Sequence, residues 1–172
     1  MREPRLVDYP PMYVVGLNFY GDPFETSAGW TEENEIGRLW NRFIAFHEKH
    51  NSEIANVQHA DVMLEIHIWS NNTQITGEFD VFVGVEVTSL EHVPIPLLAK
   101  VLPATTYAIF TLQGDEITAD WAQSIYQGWM AQHAYRPSHP YMIQWYDLRF
   151  RGLDDVASSQ LDVYIPVAKQ DT

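Results

Sequence analysis

The 172-residue chain has no cysteine, which excludes disulfide scaffolds, thiolate metal sites and cysteine nucleophiles. Basic residues are scarce: ten Lys and Arg face 23 Asp and Glu, for a formal net charge of −13. A surface this acidic argues against direct nucleic-acid binding, which depends on displacing phosphate counterions with basic groups. The same field concentrates cations. No apolar run approaches the roughly 20 residues that a bilayer-spanning helix needs. The opening Met1-Arg2-Glu3-Pro4-Arg5 has no apolar stretch behind it, so no secretory signal is visible and a cytoplasmic, membrane-free protein is expected. The nine glycines are dispersed, so no phosphate-cradling loop forms, and no Gly-x-Ser-x-Gly elbow is present. Low-complexity segments are missing too.

What the chain does have is apolar bulk, 46% of its residues, enough for a sizeable core. Aromatics reach 13%, with six Trp. Such an excess builds either core or the walls of a pocket for flat ligands. Leu6 to Tyr20 reads as extended, interrupted at Pro10-Pro11 and closed by Gly21-Asp22-Pro23. Thr31 is placed as the N-cap of a helix whose apolar stripe is Ile36, Leu39, Trp40, Phe43 and Phe46. His47, Lys49 and His50 suit its negative end. Val62 to Trp69 and Phe79 to Val87 alternate as strands, and Leu90 to Pro96 reads as a linker.

The second half follows the same order. Tyr107 to Leu112 is a strand closed by Gly114-Asp115. Ile117, Trp121, Ile125 and Trp129 mark a helix with Thr118 as its cap, and Tyr141 to Leu148 is a strand. Leu161-Asp162-Val163-Tyr164-Ile165-Pro166-Val167 matches Phe79-Asp80-Val81-Phe82-Val83-Gly84-Val85 position by position. The order β-α-β-β thus occurs twice, which predicts an α+β fold of two related units. Alignment of the copies sets Met63 on Met142, Glu65 on Gln144, His67 on Tyr146 and Phe82 on Tyr164. In each unit the more aliphatic sheet face is expected under the helix: Leu64, Ile66, Ile68, Val81, Val83 and Val85, then Ile143, Trp145, Val163, Ile165 and Val167. The opposite face then carries Met63, Glu65, His67, Trp69, Phe82, Tyr107, Met142, Gln144, Tyr146 and Tyr164. That mixture of aromatics, flexible Met and few polar groups suits a cleft for a flat, hydrophobic, cationic molecule. A dimer interface and a plain sheet surface are the alternatives.

Five segments together resemble the GyrI-like domain family: Phe82-Val83-Gly84-Val85-Glu86-Val87, the Pro103–Phe110 strand, the Trp121–Trp129 helix, Tyr146-Asp147-Leu148-Arg149-Phe150 and Val163-Tyr164-Ile165-Pro166-Val167. The family includes the Rob-like effector-binding domains of AraC-type and MerR-type regulators, and the resemblance runs from about Arg5 to Lys169. It implies a single domain over 1–172, with copy one at about 5–89, copy two at about 97–169, pseudo-twofold symmetry and a central groove for drug-like aromatic cations. Some members of the family hydrolyse cyclopropane-containing genotoxins, and a founding member inhibits DNA gyrase. The family's acidic residue, two positions before the Tyr-Asp pair, is Gln144 in this sequence. A Gln bonds a ligand but neither neutralises a cation nor serves as a base. Glu65, at the equivalent position of the first copy, is the replacement acid, and a Glu at 144 is expected to tighten cation binding further.

The leading expectation is therefore a stand-alone multidrug-type binding protein without a cofactor, since the chain leaves no room for a helix-turn-helix domain. The alternatives are a cyclopropanoid hydrolase using Glu65 and Tyr146, and an acidic inhibitor of a partner protein. His47 and His50 are read as helix-end residues rather than metal ligands. Trp40 and Trp129 are assigned to helix-to-sheet core, Glu86 to a groove or a solvated strand end, and Asp80 and Asp162 to strand entry.

Overall fold

The computed structural model describes residues 2–170. Among these, nine strands form one sheet: β1 (Arg5–Tyr9), β2 (Met12–Gly21), β3 (Met63–Ile68), β4 (Phe79–Val87), β5 (Leu98–Leu102), β6 (Thr105–Gln113), β7 (Tyr135–Pro137), β8 (Tyr141–Tyr146) and β9 (Gln160–Lys169). Their order is β1-β6-β9-β8-β3-β4-β2-β5, with β7 on β9, and every pairing is antiparallel. This is a mixed α+β fold with one large antiparallel sheet. The helical pieces are α1 (Glu35–His50), α2 (Thr73–Thr76), α3 (Trp121–Gln123) and α4 (Met130–His133). A π-helical stretch, Ser124–Trp129, joins the last two. The four-residue spacing of Trp121, Ile125 and Trp129 drifts about 40° per step on a 3.6-residue helix, and wider π turns take up that drift.

The helix starts differ from the sequence expectation. Asn34, not Thr31, caps α1, its side chain accepting from the Gly37 amide at 2.9 Å. Asp120, not Thr118, caps α3 through the Gln123 amide. Asn and Asp accept at N-caps at least as well as Thr. Strands β5 and β7 lie in segments the sequence does not mark as strands, and α2 is a single turn in the connection from β3 to β4.

The sheet curls until its ends meet. Pro10-Pro11 carries the chain from β1 to β2, and Pro103-Ala104 carries it from β5 to β6. Each step joins opposite ends of the strand order, so these ends lie within about 10 Å of each other there. Across the closure the Tyr9 hydroxyl donates to Glu86 Oε2 at 3.2 Å. The trough inside is filled by Leu64, Ile66, Phe82, Tyr107, Ile143, Trp145 and Tyr164, together with Met12 and Leu102 from the opposite end. Paired glycines, Gly16 on β2 opposite Gly84 on β4, give the close backbone approach at the bend.

Register corrects the assignment of sheet faces. Leu64 stands opposite Gly84 and Ile66 opposite Phe82, whereas Glu65 stands opposite Val83 and His67 opposite Val81. The helix-covered face therefore carries Glu65 and His67 beside Val81, Val83 and Val85, with Leu39 and Phe43 of α1 packed onto those valines. Gln144 likewise stands opposite Val163, and Ile143 opposite Tyr164. Leu64, Ile66, Ile68, Ile143 and Trp145, expected under the helices, line or pack against the trough instead. Both faces of this sheet are buried, so aliphatic residues occur on each, and alternation within one strand does not fix its phase against the next.

Asp80 and Asp162 stand near the starts of β4 and β9, where Asp80 accepts from Asn18 and Asp162 from Thr111 and Arg149. Glu86 is neither solvated nor near the helix-side face: it is buried in the trough, bonded to Tyr9 and 3.6 Å from His59. Burial pushes its carboxyl above the ordinary value, against the lowering effects of the Tyr9 hydroxyl and His59. A carboxyl raised on folding contributes stability below its unfolded value, and that contribution is lost as pH rises through the folded one. Glu86→Gln keeps an acceptor for Tyr9 and removes the charge. Its unfolding midpoint in urea is expected to exceed wild type at pH 7.5, and the advantage to vanish as pH falls below about 4, under the unfolded Glu value. A pH-independent difference would show that the Glu86 charge carries no such cost.

Candidate functional site

A cavity of about 1210 Å³ lies on the helix side, between β3 and β8 below and α1 with Trp121 above. Its floor is set by the central strand pair. Antiparallel register places Glu65 directly opposite Gln144, with Met63 opposite Tyr146 and His67 opposite Met142. All six side chains border the cavity, as does Trp69. Seven of the ten residues that the sequence nominates are thus together. Phe82, Tyr107 and Tyr164 are not, because they fill the trough on the other sheet face. There Tyr107 and Tyr141 share a hydrogen bond at 2.8 Å and Tyr164 stacks on Trp145 at 5.1 Å.

Glu65 is 4% exposed and is the hub of the floor. Its Oε1 accepts from His67 Nε2 at 2.7 Å and from Gln144 Nε2 at 3.1 Å, while Oε2 accepts from the Trp40 indole N–H. A carboxylate only accepts, so His67 carries a proton on Nε2. The chain of bonds continues as the Tyr146 hydroxyl donates to Gln144 Oε1 at 2.9 Å. Burial first, and then the Glu65 charge, push the Tyr146 phenol well above the ordinary tyrosine value. Tyr146 is therefore a neutral donor, held edge-on against Trp40 at 4.9 Å and against Phe150 at 4.9 Å. Three donors thus converge on one buried carboxyl group and satisfy its acceptor oxygens.

The walls are apolar: Ile36, Trp40 and Ile44 from α1, with Phe79, Trp121 and Tyr126. Trp30 and Phe150 meet across the rim at 6.5 Å, and Leu148 stands beside them with 78% exposure. Among the described residues the lining holds four acids, Glu32, Asp61, Glu65 and Asp147, against one basic residue, the exposed Arg151. Asp147 is clamped by Arg149 at 2.6 Å, whose hydrogen bonds hold its carboxyl below the ordinary value. Glu65 is the acid buried at depth. Sequence reasoning assigned Trp40 to core. It does pack against the α1-side core, but its indole also reaches Glu65 and lines the cavity. Helical periodicity locates a buried stripe and does not reveal a cavity beneath it. Trp129 is core, edge-on to Phe110 and stacked on Tyr135. Among the described residues no group of three or more His, Asp or Glu is arranged to hold a metal ion, and no helix is long and apolar enough to cross a membrane.

Over residues 5–167 the chain matches the family described as Cass2, integron-associated effector binding protein. It is 34% identical over 164 residues to the transcriptional regulator BrlR of Pseudomonas aeruginosa, covering 95% of this chain and 54% of BrlR. The chain thus spans about half the length of that curated relative. Among solved structures it resembles SAV2435 bound to tetraphenylphosphonium, with a TM-score of 0.67 at 13% identity over 97% of this chain and 94% of that one. The C-terminal domain of EcmrR gives a TM-score of 0.64 at 14% identity over 96% of each chain. At these identities the solved structures speak for the fold alone.

Proposed function

Because the chain belongs to the Cass2, GyrI-like family of effector-binding proteins, we propose that it binds bulky aromatic cations in the cavity above Glu65 and Gln144. The carrying observation is a buried Glu65 carboxyl, met by three hydrogen-bond donors, at the floor of a cavity whose walls are mainly aromatic and aliphatic. A bound cation regains at Glu65 part of the hydration it loses, and the walls of Trp40, Trp121 and Tyr146 offer ring faces and edges. The ligand held by SAV2435, tetraphenylphosphonium, has this chemistry. Its four phenyl groups need volume rather than a slot, and the cavity here, about 1210 Å³, is larger than the roughly 300–1,000 Å³ of ordinary ligand pockets. Several such ligands would be accommodated, since Met63 and Met142 adapt and few polar groups dictate orientation.

The chain is read as one domain of two related copies, about 5–89 and 97–169. The strand order supports this: each half contributes a run of three adjacent strands, β2-β4-β3 and β8-β9-β6, that meet at the Glu65–Gln144 pair. Binding rather than hydrolysis is favoured because three donors already occupy the Glu65 oxygens, and the raised Tyr146 phenol is no base at neutral pH. In titrations the protein is expected to quench ethidium or rhodamine 6G with at least tenfold higher affinity than a neutral dye of similar size. Going from 50 to 500 mM salt should reduce that margin by less than half, because a buried pair is screened little. Equal affinity for charged and neutral dyes would overturn the reading.

A further inference from the structure

The floor of the cavity has one polar atom to spare. Every side-chain nitrogen and oxygen of Glu65, Gln144 and Tyr146 is engaged in a hydrogen bond. His67 engages one ring nitrogen, Nε2, with Glu65 Oε1. Its other ring nitrogen, Nδ1, has no partner among the described residues. Nor is Nδ1 sealed inside the protein: the ring borders the cavity, and 11% of the side-chain surface stays open. The opposite face of the sheet is the filled trough, so this opening is toward the cavity. Phe79 packs on the imidazole at 5.1 Å and limits how far it can swing. With the proton on Nε2, Nδ1 presents a lone pair. The Nε2–H bond to a carboxylate polarises the ring and makes Nδ1 a stronger acceptor.

We propose that His67 Nδ1 is a specificity-determining acceptor, through which the cavity ranks aromatic cations that carry an N–H above fully alkylated or arylated cations of the same size and charge. This rests on the aromatic-cation reading above and narrows its ligand class. The charge of the ligand faces Glu65 while its N–H donates to Nδ1, so one imidazole links the ligand proton to the buried acid. A ligand that fills the cavity excludes water from Nδ1. An N–H group supplies a hydrogen bond in place of the water. An N-methyl group supplies none and leaves a buried acceptor unsatisfied, which lowers its affinity.

Two probes isolate the N–H: N,N-dimethyl-1-pyrenemethylammonium and its N,N,N-trimethyl analogue, in which a methyl group replaces the ammonium proton. Both are monocations at pH 7. In fluorescence titrations the dimethyl probe is expected to bind about 3–12-fold more tightly, the range given by one net hydrogen bond. His67→Phe keeps a ring beside Phe79 and leaves Trp40 and Gln144 on Glu65, and it should make the two affinities nearly equal. Nitrogen-15 NMR reads the same contact in the wild-type protein. Nδ1 should carry no proton in the free protein, and its resonance should move with the dimethyl probe well beyond its movement with the trimethyl one. If neither probe binds, the aromatic-cation reading fails and this inference falls with it. Equal affinities in wild type, a preference that survives His67→Phe, or a protonated Nδ1 in the free protein would each overturn the His67 assignment alone.

Discussion

Glu65→Gln is expected to weaken ethidium binding by about 10–100-fold while changing the affinity for a neutral aromatic of the same size by less than about threefold. The loss corresponds to about 1.4–2.7 kcal/mol, appropriate to removing an opposite charge from a partly desolvated site. The fold should survive, because the introduced amide can rearrange. Its oxygen would still accept from the Trp40 indole, while its NH₂ would face the Gln144 amide. Gln144 then turns its own oxygen inward, the Tyr146 hydroxyl accepts instead of donating, and His67 takes the tautomer whose Nε2 accepts from the new NH₂. Equal losses for charged and neutral dyes would mean that Glu65 shapes the cavity and does not select charge. The structure also revises the expectation for Gln144→Glu. The Gln144 Nε2 is 3.1 Å from Glu65 Oε1, so a second carboxylate there would share a proton with the first. Little net charge is gained near neutral pH, and cation affinity should rise by far less than Glu65→Gln lowers it.

The largest effect on stability is expected from Gly16→Ala. A Cβ at Gly16 would lie 2.0 Å from the Val83 carbonyl oxygen, and one at Gly84 would lie 2.3 Å from the Val15 carbonyl oxygen. These obstacles are backbone atoms inside a strand pair, so no rotamer change relieves them. Only separation of β2 from β4 does, and that opens the bend of the sheet. A loss of about 3 kcal/mol is expected in urea denaturation, at the upper end of overpacking effects. Gly128→Ala is the contrast: it sits in the π-helical stretch, its Cβ would meet nothing within 4 Å, and its stability should match or exceed wild type. Similar midpoints for the two variants would disprove the close-approach argument.

That Glu65 and Gln144 line one cavity was an expectation of the sequence, drawn from the parallel patterns of its two halves, and the register sets the two residues directly opposite each other. The misplacement of Phe82, Tyr107 and Tyr164 has an equally definite cause. Within β4 the alternation of Phe79, Val81, Val83 and Val85 fixes which residues share a face, but whether Val83 sits above Leu64 or Glu65 is decided by hydrogen-bond register. A sheet buried on both sides offers no polar stripe to settle the phase. Trp40 escaped for a different reason: an indole on a helical stripe reads as core until its N–H is found on a carboxylate 25 residues away. Strand β5 was hidden by exposure, because Leu98, Ala99 and Val101 face solvent and no alternation develops.

The proline steps at Pro10-Pro11 and Pro103-Ala104 have a consequence for how the chain folds. They send β1 to the far end of the sheet, where it pairs with β6 about a hundred residues away, and they leave β5 beside β2 of the first half. Each half thus lends its first strand to the other, as in a reciprocal exchange between two subunits fused into one polypeptide. Neither half can complete its edge alone, and no local segment closes the trough. Assembly of such a topology is governed by contacts of long sequence separation, so it should be slow relative to its size and complete in a single concerted step. A break anywhere between β4 and β5 would leave two fragments that fold only by finding one another.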